Sequence, residues 1–278
     1  MQETIAILYI CTWNYSRFWN EFYLTSEKYF LPRYKKHYFV WTDDENIPST
    51  KNITVINQKK LWRPYDTLYR FKFFLSIKNK LKEFDYTVFF NANTKFKKII
   101  TPWEFIPKDN ENLIWLLHFT YINKENKKIP YERNIISKSY IPYWEWKYYY
   151  LWSLNWWRTK NYLDMCEWCH NAIIQDESNN IIPVWHDESM LNKYYLGRKD
   201  IKILDPSYWF VESLLTLKRS PKIICLEKTY YVWHKETMRS NWKLKIDILN
   251  FIKVKSIFYT RWFIRSILDL FNFKWKNY

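Results

Sequence analysis

Along the first hundred residues the apolar positions switch repeatedly between a strand period and a helix period. Ile5–Cys11 is an unbroken apolar run and predicts a buried strand. Ser16–Phe30 has helical spacing, with Ser16 at the N-cap. His37–Trp41 and Ile53–Asn57 predict short strands, and Tyr65–Lys82 is again helical in period. Tyr86–Phe90 is an apolar strand that runs into Asn91-Ala92-Asn93. Strands alternating with helices predict an α/β fold around a parallel, doubly wound sheet. Ligands bind such sheets at the carboxyl ends of the strands, which singles out Cys11–Tyr15 and Asn91–Asn93.

The second half is less regular. A loop-rich stretch spans 103–143, Tyr148–Tyr150 reads as a strand, Thr159–Asp176 as a helix, and a further helix follows Trp185. From Asn241 the pattern changes: Lys243, Lys245, Lys253, Lys255, Arg261, Arg265 and Lys274 interleave with Ile, Leu, Phe and Trp at helical spacing. Residues 1–240 are therefore expected to form one catalytic domain. Residues 241–278 are expected to form a basic amphipathic tail suited to the headgroup boundary of an anionic membrane.

Composition sharpens this picture. The formal net charge is +16, which favours an anionic partner, although a Lys-rich background accounts for part of it. No apolar stretch reaches the ~20 residues of a membrane span. The N-terminus has neither the basic region nor the cleavage site of a signal peptide, so a cytoplasmic protein, peripheral on the inner membrane face, is expected. Cys166-Glu-Trp-Cys169-His170 matches the spacing of a haem attachment site, but its helical period favours a structural helix. Most unusual is the balance of one Gly against 18 Trp, where ~7% Gly is ordinary for a soluble domain.

Three blocks carry a resemblance: Phe89-Phe90-Asn91-Ala92-Asn93; Tyr131-Glu132-Arg133 leading to Tyr140-Ile141-Pro142; and Trp185-His186-Asp187-Glu188-Ser189 followed by Leu191-Asn192-Lys193-Tyr194. Their order and spacing resemble glycosyltransferase family 6, the group of the histo-blood-group A and B transferases and the α-1,3-galactosyltransferases, over about residues 4–240. The resemblance implies a GT-A fold with a single Rossmann-like nucleotide-sugar domain. It implies retaining transfer of N-acetylgalactosamine or galactose from a UDP-sugar to the 3-hydroxyl of a galactose-terminated acceptor. By position, Glu188 is the carboxylate beneath the anomeric carbon, as nucleophile or as electrostatic stabiliser. Asp187 accepts hydrogen bonds from the donor sugar, and Cys11, Thr12 and Tyr15 meet uracil and ribose. Arg70, Lys228 and Arg239 offer cations to the UDP. His118, Thr120 and Trp185, with Glu188, face the acceptor. Leu151 and Ser153 occupy the donor-selecting positions, and Leu151 inclines the choice towards UDP-N-acetylgalactosamine.

Two departures from the family pattern change the expectation. Animal members carry Asp-x-Asp where this chain has Asn91 and Asn93, resembling a bacterial subgroup that works without metal. No metal or other cofactor is expected, since divalent cations prefer anionic oxygen ligands. In addition, Trp13, Trp62, Trp115, Trp144, Trp146, Trp152, Trp156, Trp157 and Trp233 fall on family glycines, whereas Trp19 and Trp185 fall on family tryptophans. Such selectivity is what results when UGA codons read as glycine are translated as tryptophan. Positive φ is then expected at several of these positions. Two rival readings remain: a sugar-nucleotide-binding homologue impaired by real tryptophans, and a basic aromatic nucleic-acid binder, which lacks any recognition motif.

Overall fold

A computed structural model describes residues 3–108, 110–118, 121, 125–145, 148–204, 206–212, 220–228 and 232. Ten strands and seven helices are described, in the compact unit Met1–Glu227. The strands are β1 (Thr4–Ile10), β2 (Lys35–Thr42), β3 (Ile53–Asn57), β4 (Tyr86–Phe90), β5 (Thr94–Phe96), β6 (Leu113–Leu116), β7 (Leu154–Arg158), β8 (Ile201–Leu204), β9 (Phe210–Val211) and β10 (Ile223–Cys225). The helices are α1 (Trp19–Tyr29), α2 (Tyr65–Leu68), α3 (Arg70–Ser76), α4 (Lys78–Leu81), α5 (Pro102–Phe105), α6 (Thr159–Ser178) and α7 (Asp187–Tyr195).

Seven strands form one sheet in the order β3-β2-β1-β4-β7-β6-β8. The first four are mutually parallel, as the alternation predicts, and β1 and β4 read as apolar runs because helices cover both faces. The unforeseen element is β7. It runs antiparallel between β4 and β6, pairing Phe90 with Leu154 and Val88 with Trp156. Tyr150, expected within a strand, makes only an isolated bridge to Leu117. A smaller sheet, β5-β10-β9, continues from the Asn turn.

The helices explain which faces are covered. The 20-residue α6 buries Tyr162, Leu163, Met165, Cys166, Cys169 and Ile173 against α3 and the sheet. Each such aliphatic or thioether side chain contributes roughly 1.5–3 kcal/mol on burial. Both cysteines of the Cys-x-x-Cys run are free and buried, and desolvation drives their thiols well above the ordinary range. They are core residues, as the period implied, although His170 is only part-buried and Ile174 is half exposed. Ser16 is not a cap: it lies inside a 3-10 turn, Trp13–Phe18, that leads into α1. The expected helix 65–82 is three short pieces, broken at Tyr69 (φ −87°, ψ 7°) and Ile77 (φ −114°, ψ 20°). The tail 241–278 lies outside the described residues.

Candidate active site

The site is built around the start of α7. The chain reaches it through a tight turn at His186, whose φ of 53° and ψ of −121° are costly for a residue with a Cβ. Neighbours hold that conformation. His186 N–H donates to Pro183 O (2.9 Å), its Nδ1 lies 3.0 Å from Thr67 Oγ1, and Trp185 N–H donates to Ser189 Oγ (3.0 Å). Asp187 and Glu188 then occupy the first helical turn, where negative charge suits the helix dipole.

That dipole does not fully offset their burial. Desolvation raises the Asp187 carboxyl to about 6, against the lowering effect of the Arg70 guanidinium. Arg70 Nη1 donates to Asp187 Oδ2 at 2.9 Å, while its Nε is buried with no hydrogen-bond partner. Glu188 is raised further, to about 7, first by desolvation and then by the charge of Asp187. Its Oε2 accepts from Trp152 N–H (3.1 Å), and the Tyr149 hydroxyl lies against it. Two adjacent carboxyls, of which Asp187 alone is paired with the Arg70 cation, are suited to oppose positive charge developing on a bound ligand.

The segment 149–153 forms the opposite wall. It hangs on β6 through His118 N–H to Tyr149 O (2.9 Å) and Leu151 N–H to Leu116 O (3.0 Å). At its far end Ser153 meets the Asn turn: Asn91 N–H donates to Ser153 O (3.1 Å) and Asn91 Nδ2 to Ser153 Oγ (3.0 Å). Asn93 is buried, donating through Nδ2 to Leu226 O (2.7 Å), which leaves Oδ1 buried without a hydrogen-bond partner. The donor set here is two neutral amides whose NH₂ groups are already engaged. No three His, Cys, Asp or Glu side chains gather to hold an ion among the described residues. This strand end does not fit a divalent cation, which wants carboxylate oxygens.

The remaining sequence-predicted residues divide into those at this site and those away from it. Tyr15 is part-buried, with Arg63, Asp66 and Arg70 near its hydroxyl and burial raising its pKa. Thr12 immediately precedes the 3-10 turn that carries Tyr15. The Cys11 side chain is core, its thiol pushed up to about 12 by burial, and its backbone N–H and C=O are committed to Trp41 and Thr42. The His118 ring lies 4.8 Å from Tyr121 and 6.0 Å from Tyr149, and burial lowers its pKa, which favours the neutral ring. Trp185 is half exposed on the rim. Leu151 and Ser153 flank Trp152 beside Glu188. Lys228 falls outside the compact unit Met1–Glu227, and Thr120 and Arg239 lie outside the described residues. Sequence reasoning gives no role to Thr67, Tyr149 or Asn192, although Asn192 stands inside the motif after Trp185 and Tyr149 in the block that precedes Leu151.

The tryptophans read at family glycines behave unequally. Among the described ones only Trp13 has a left-handed backbone (φ 55°). Trp62 and Trp144 are exposed on the surface with ordinary backbones, and Trp156 and Trp157 pair within β7 instead of forming a turn. Trp115 and Trp152 are core residues. The Trp152 ring stacks at 5.2 Å on Phe89 and meets Phe71 edge-on at 5.3 Å, with the Arg70 guanidinium 5.9 Å away. The general expectation of positive φ therefore fails at position 152, where the indole takes up space without straining the backbone. Trp146 and Trp233 lie outside the described residues.

Comparison with known proteins agrees with this geometry. The chain is 34% identical over 232 residues to the O-antigen biosynthesis glycosyltransferase WbnI of Escherichia coli, covering 83% of this chain and 97% of that protein. It is 28% identical to the histo-blood group ABO system transferase 2 of Rattus norvegicus, covering 76% of this chain and 65% of that one. It is 27% identical to the globoside alpha-1,3-N-acetylgalactosaminyltransferase 1 of Mus musculus, covering 75% and 61%. The chain thus spans about three-fifths of the length of these rodent relatives, and nearly all of the bacterial one. A sheet with this carboxyl-end site, these relatives, and a match of residues 1–240 to the model of glycosyltransferase family 6 make the chain a member of that family and a glycosyltransferase.

Proposed function

We propose that the chain is a retaining α-1,3-glycosyltransferase that uses UDP-N-acetylgalactosamine, with UDP-galactose as the weaker donor, and needs no metal. One observation carries this reading: the adjacent carboxyls of buried Asp187, paired with Arg70, and part-buried Glu188, which meets Trp152 N–H in the segment Leu151–Ser153. Uracil stacks near Tyr15 and the diphosphate meets Arg70 and Arg63, cations that take over what a metal does elsewhere. The bond between the anomeric carbon and the diphosphate oxygen breaks, and the electron pair leaves with UDP. Glu188, ionised, opposes the positive charge on that carbon, either by charge or through a transient covalent bond. The 3-hydroxyl oxygen of a galactose-terminated acceptor, held against Trp185 and His118, then bonds to the same face that UDP left. Its proton passes to the departing diphosphate.

Trp152 favours a second reading, a homologue that binds the nucleotide and turns over poorly, because its indole fills space beside Arg70. Incubation with each UDP-sugar and a β-galactoside acceptor, with and without excess EDTA, decides. The proposal expects an α-1,3 linkage by NMR, faster transfer from UDP-N-acetylgalactosamine, and a rate kept in chelator. Loss of transfer with EDTA and recovery with Mn²⁺ would sink metal independence. UDP binding without transfer would favour the second reading. The proposed tail contact with an anionic membrane face would bring the enzyme to lipid-linked acceptors. No described helix is long and apolar enough to cross a membrane.

A further inference from the structure

We infer that Asn192 is a positioning residue that sets the register between the donor-selecting segment and Glu188; the inference rests on the transferase reading above. Asn192 lies one helical turn beyond Glu188 on α7 and is only 3% exposed. Its carboxamide makes three hydrogen bonds, which use the oxygen and both amide hydrogens. Tyr150 N–H donates to Oδ1 (2.9 Å), Nδ2 donates to Tyr150 O (3.1 Å), and Nδ2 also donates to Glu188 O (2.9 Å). The side chain therefore acts as a stand-in strand, pairing both backbone groups of Tyr150 and tying them to the turn that carries Glu188.

The placement makes this more than core satisfaction. Tyr150 immediately precedes Leu151, Trp152 and Ser153. Two residues beyond Tyr150 the contact is returned, since Trp152 N–H donates to Glu188 Oε2 (3.1 Å). The segment and the helix are thus fastened at two points, one to the Glu188 carbonyl through Asn192 and one to the Glu188 carboxyl directly. Without Asn192 the backbone of the segment loses its tie to the helix, and what holds the two together at Glu188 is the carboxyl, through Trp152 N–H and the Tyr149 hydroxyl. That carboxyl must also face the donor. Position 192 needs one acceptor and two donors within a single planar group, which among side chains of this length only Asn supplies. A buried carboxylate there would face the carbonyl oxygens of Tyr150 and Glu188, and an alkyl group would leave three buried backbone partners unmet.

The chemical consequence follows from geometry. A misplacement of ~1 Å between a reacting group and its substrate costs on the order of 10²-fold in rate. Releasing Tyr150 lets Leu151 and Ser153 drift relative to Glu188 and leaves the nucleotide contacts at Tyr15 and Arg70 in place. Loss should therefore appear in kcat and in donor choice more than in UDP binding.

Asn192→Ala and Asn192→Ser are the variants, with the full chain as parent. The expected result is kcat down roughly 10–100-fold, UDP affinity within a few-fold, and a preference between UDP-N-acetylgalactosamine and UDP-galactose that collapses towards one. Amide hydrogen exchange at Tyr150 should be slow in the parent and fast in both variants. A folded variant with parental kcat and parental donor preference overturns the inference, whatever its Tm. If neither variant folds, the parent decides: a Tyr150 amide that exchanges as fast as an open loop overturns the clamp, and a protected one supports it. The parent's own transfer tests the underlying reading separately, because the exchange measurement needs no activity.

Discussion

Glu188→Gln should make the protein more stable and nearly inactive, and the stability gain should depend on pH. The Glu188 carboxyl rises from 4.5 to about 7, chiefly because burial disfavours its charge. A tenfold change in proton affinity is worth about 1.4 kcal/mol, so ionising this group in the folded chain costs up to about 3 kcal/mol more than in the unfolded chain. Part of the residue still reaches solvent, and about 2 kcal/mol is the discounted figure. The sign follows from which state holds the proton more tightly. The folded carboxyl is raised, so this contribution is fully present below pH 4.5 and is lost as pH rises through about 7. Glutamine keeps the shape and an oxygen for Trp152 N–H, and it cannot ionise. At pH 8 the variant should exceed the parent by about 2 kcal/mol, a Tm gain of roughly 4–8 °C for a chain of this size. At pH 5 the two should nearly coincide. Turnover should fall by orders of magnitude with UDP-sugar affinity within a few-fold, as for an interaction realised mainly in the transition state. Urea unfolding at both pH values, with transfer assays alongside, checks this. A variant no more stable than the parent at pH 8, or equally stabilised at both, would refute the burial argument. Near-normal turnover would remove Glu188 from the chemistry.

The two kinds of tryptophan should part company. Trp13→Gly relieves a left-handed backbone and should stabilise by about 1 kcal/mol in urea unfolding. Trp152→Gly should destabilise by about 3–5 kcal/mol, since a buried ring is lost from Phe71 and Phe89, and should still tighten UDP-sugar binding by calorimetry. Unchanged affinity would show that the indole does not obstruct the donor. For the tail, the full chain should sediment with anionic vesicles at low salt, and a chain ending at Ser240 should stay in the supernatant with its activity on a soluble acceptor; failure of the full chain to sediment ends the membrane proposal.

How far the sequence could be read depended on whether the signal was local. β3 and β4 match their expected ranges: β4, buried at all five positions, writes itself as an apolar run, and β3, at the sheet edge, is marked by its β-branched residues. Strand β7 is hidden by the reading of Trp156 and Trp157 as a turn-forming pair at family glycines, although tryptophan itself is favoured in strands. The breaks at Tyr69 and Ile77 left no mark in the helical period of 65–82. At the site, Glu188 and Asp187 were legible from a motif. Arg70 was legible as a cation for the site, but the pairings were not: Arg70 meets Asp187 across 117 residues of chain, and Asn192 meets Tyr150 across 42. Such pairings are decided by packing, not by spacing. Asn192 could have been suspected, since a polar residue amid apolar neighbours in a helix needs partners from elsewhere.

The reversed direction of β7 makes the sheet a ruler for the donor site. Phe90 is paired with Leu154, so the residue after β4 and the residue before β7 emerge together, and Asn91 meets Ser153 at the same edge. A strand cannot slide by one position without turning every side chain to the other face. The loss or gain of a single residue within 154–158 would therefore move Ser153 away from Asn91 and Trp152 N–H away from Glu188 in one step. The excursion between Phe96 and Leu113 is held differently, by the bridge of Ile100 to Phe30 and the buried ring of Phe105, and its length is not counted against this ladder. Length variation in this chain is thus partitioned: forbidden on the five residues that follow the proposed donor-selecting segment, and limited by local anchors, not by the ladder, between the small sheet and β6.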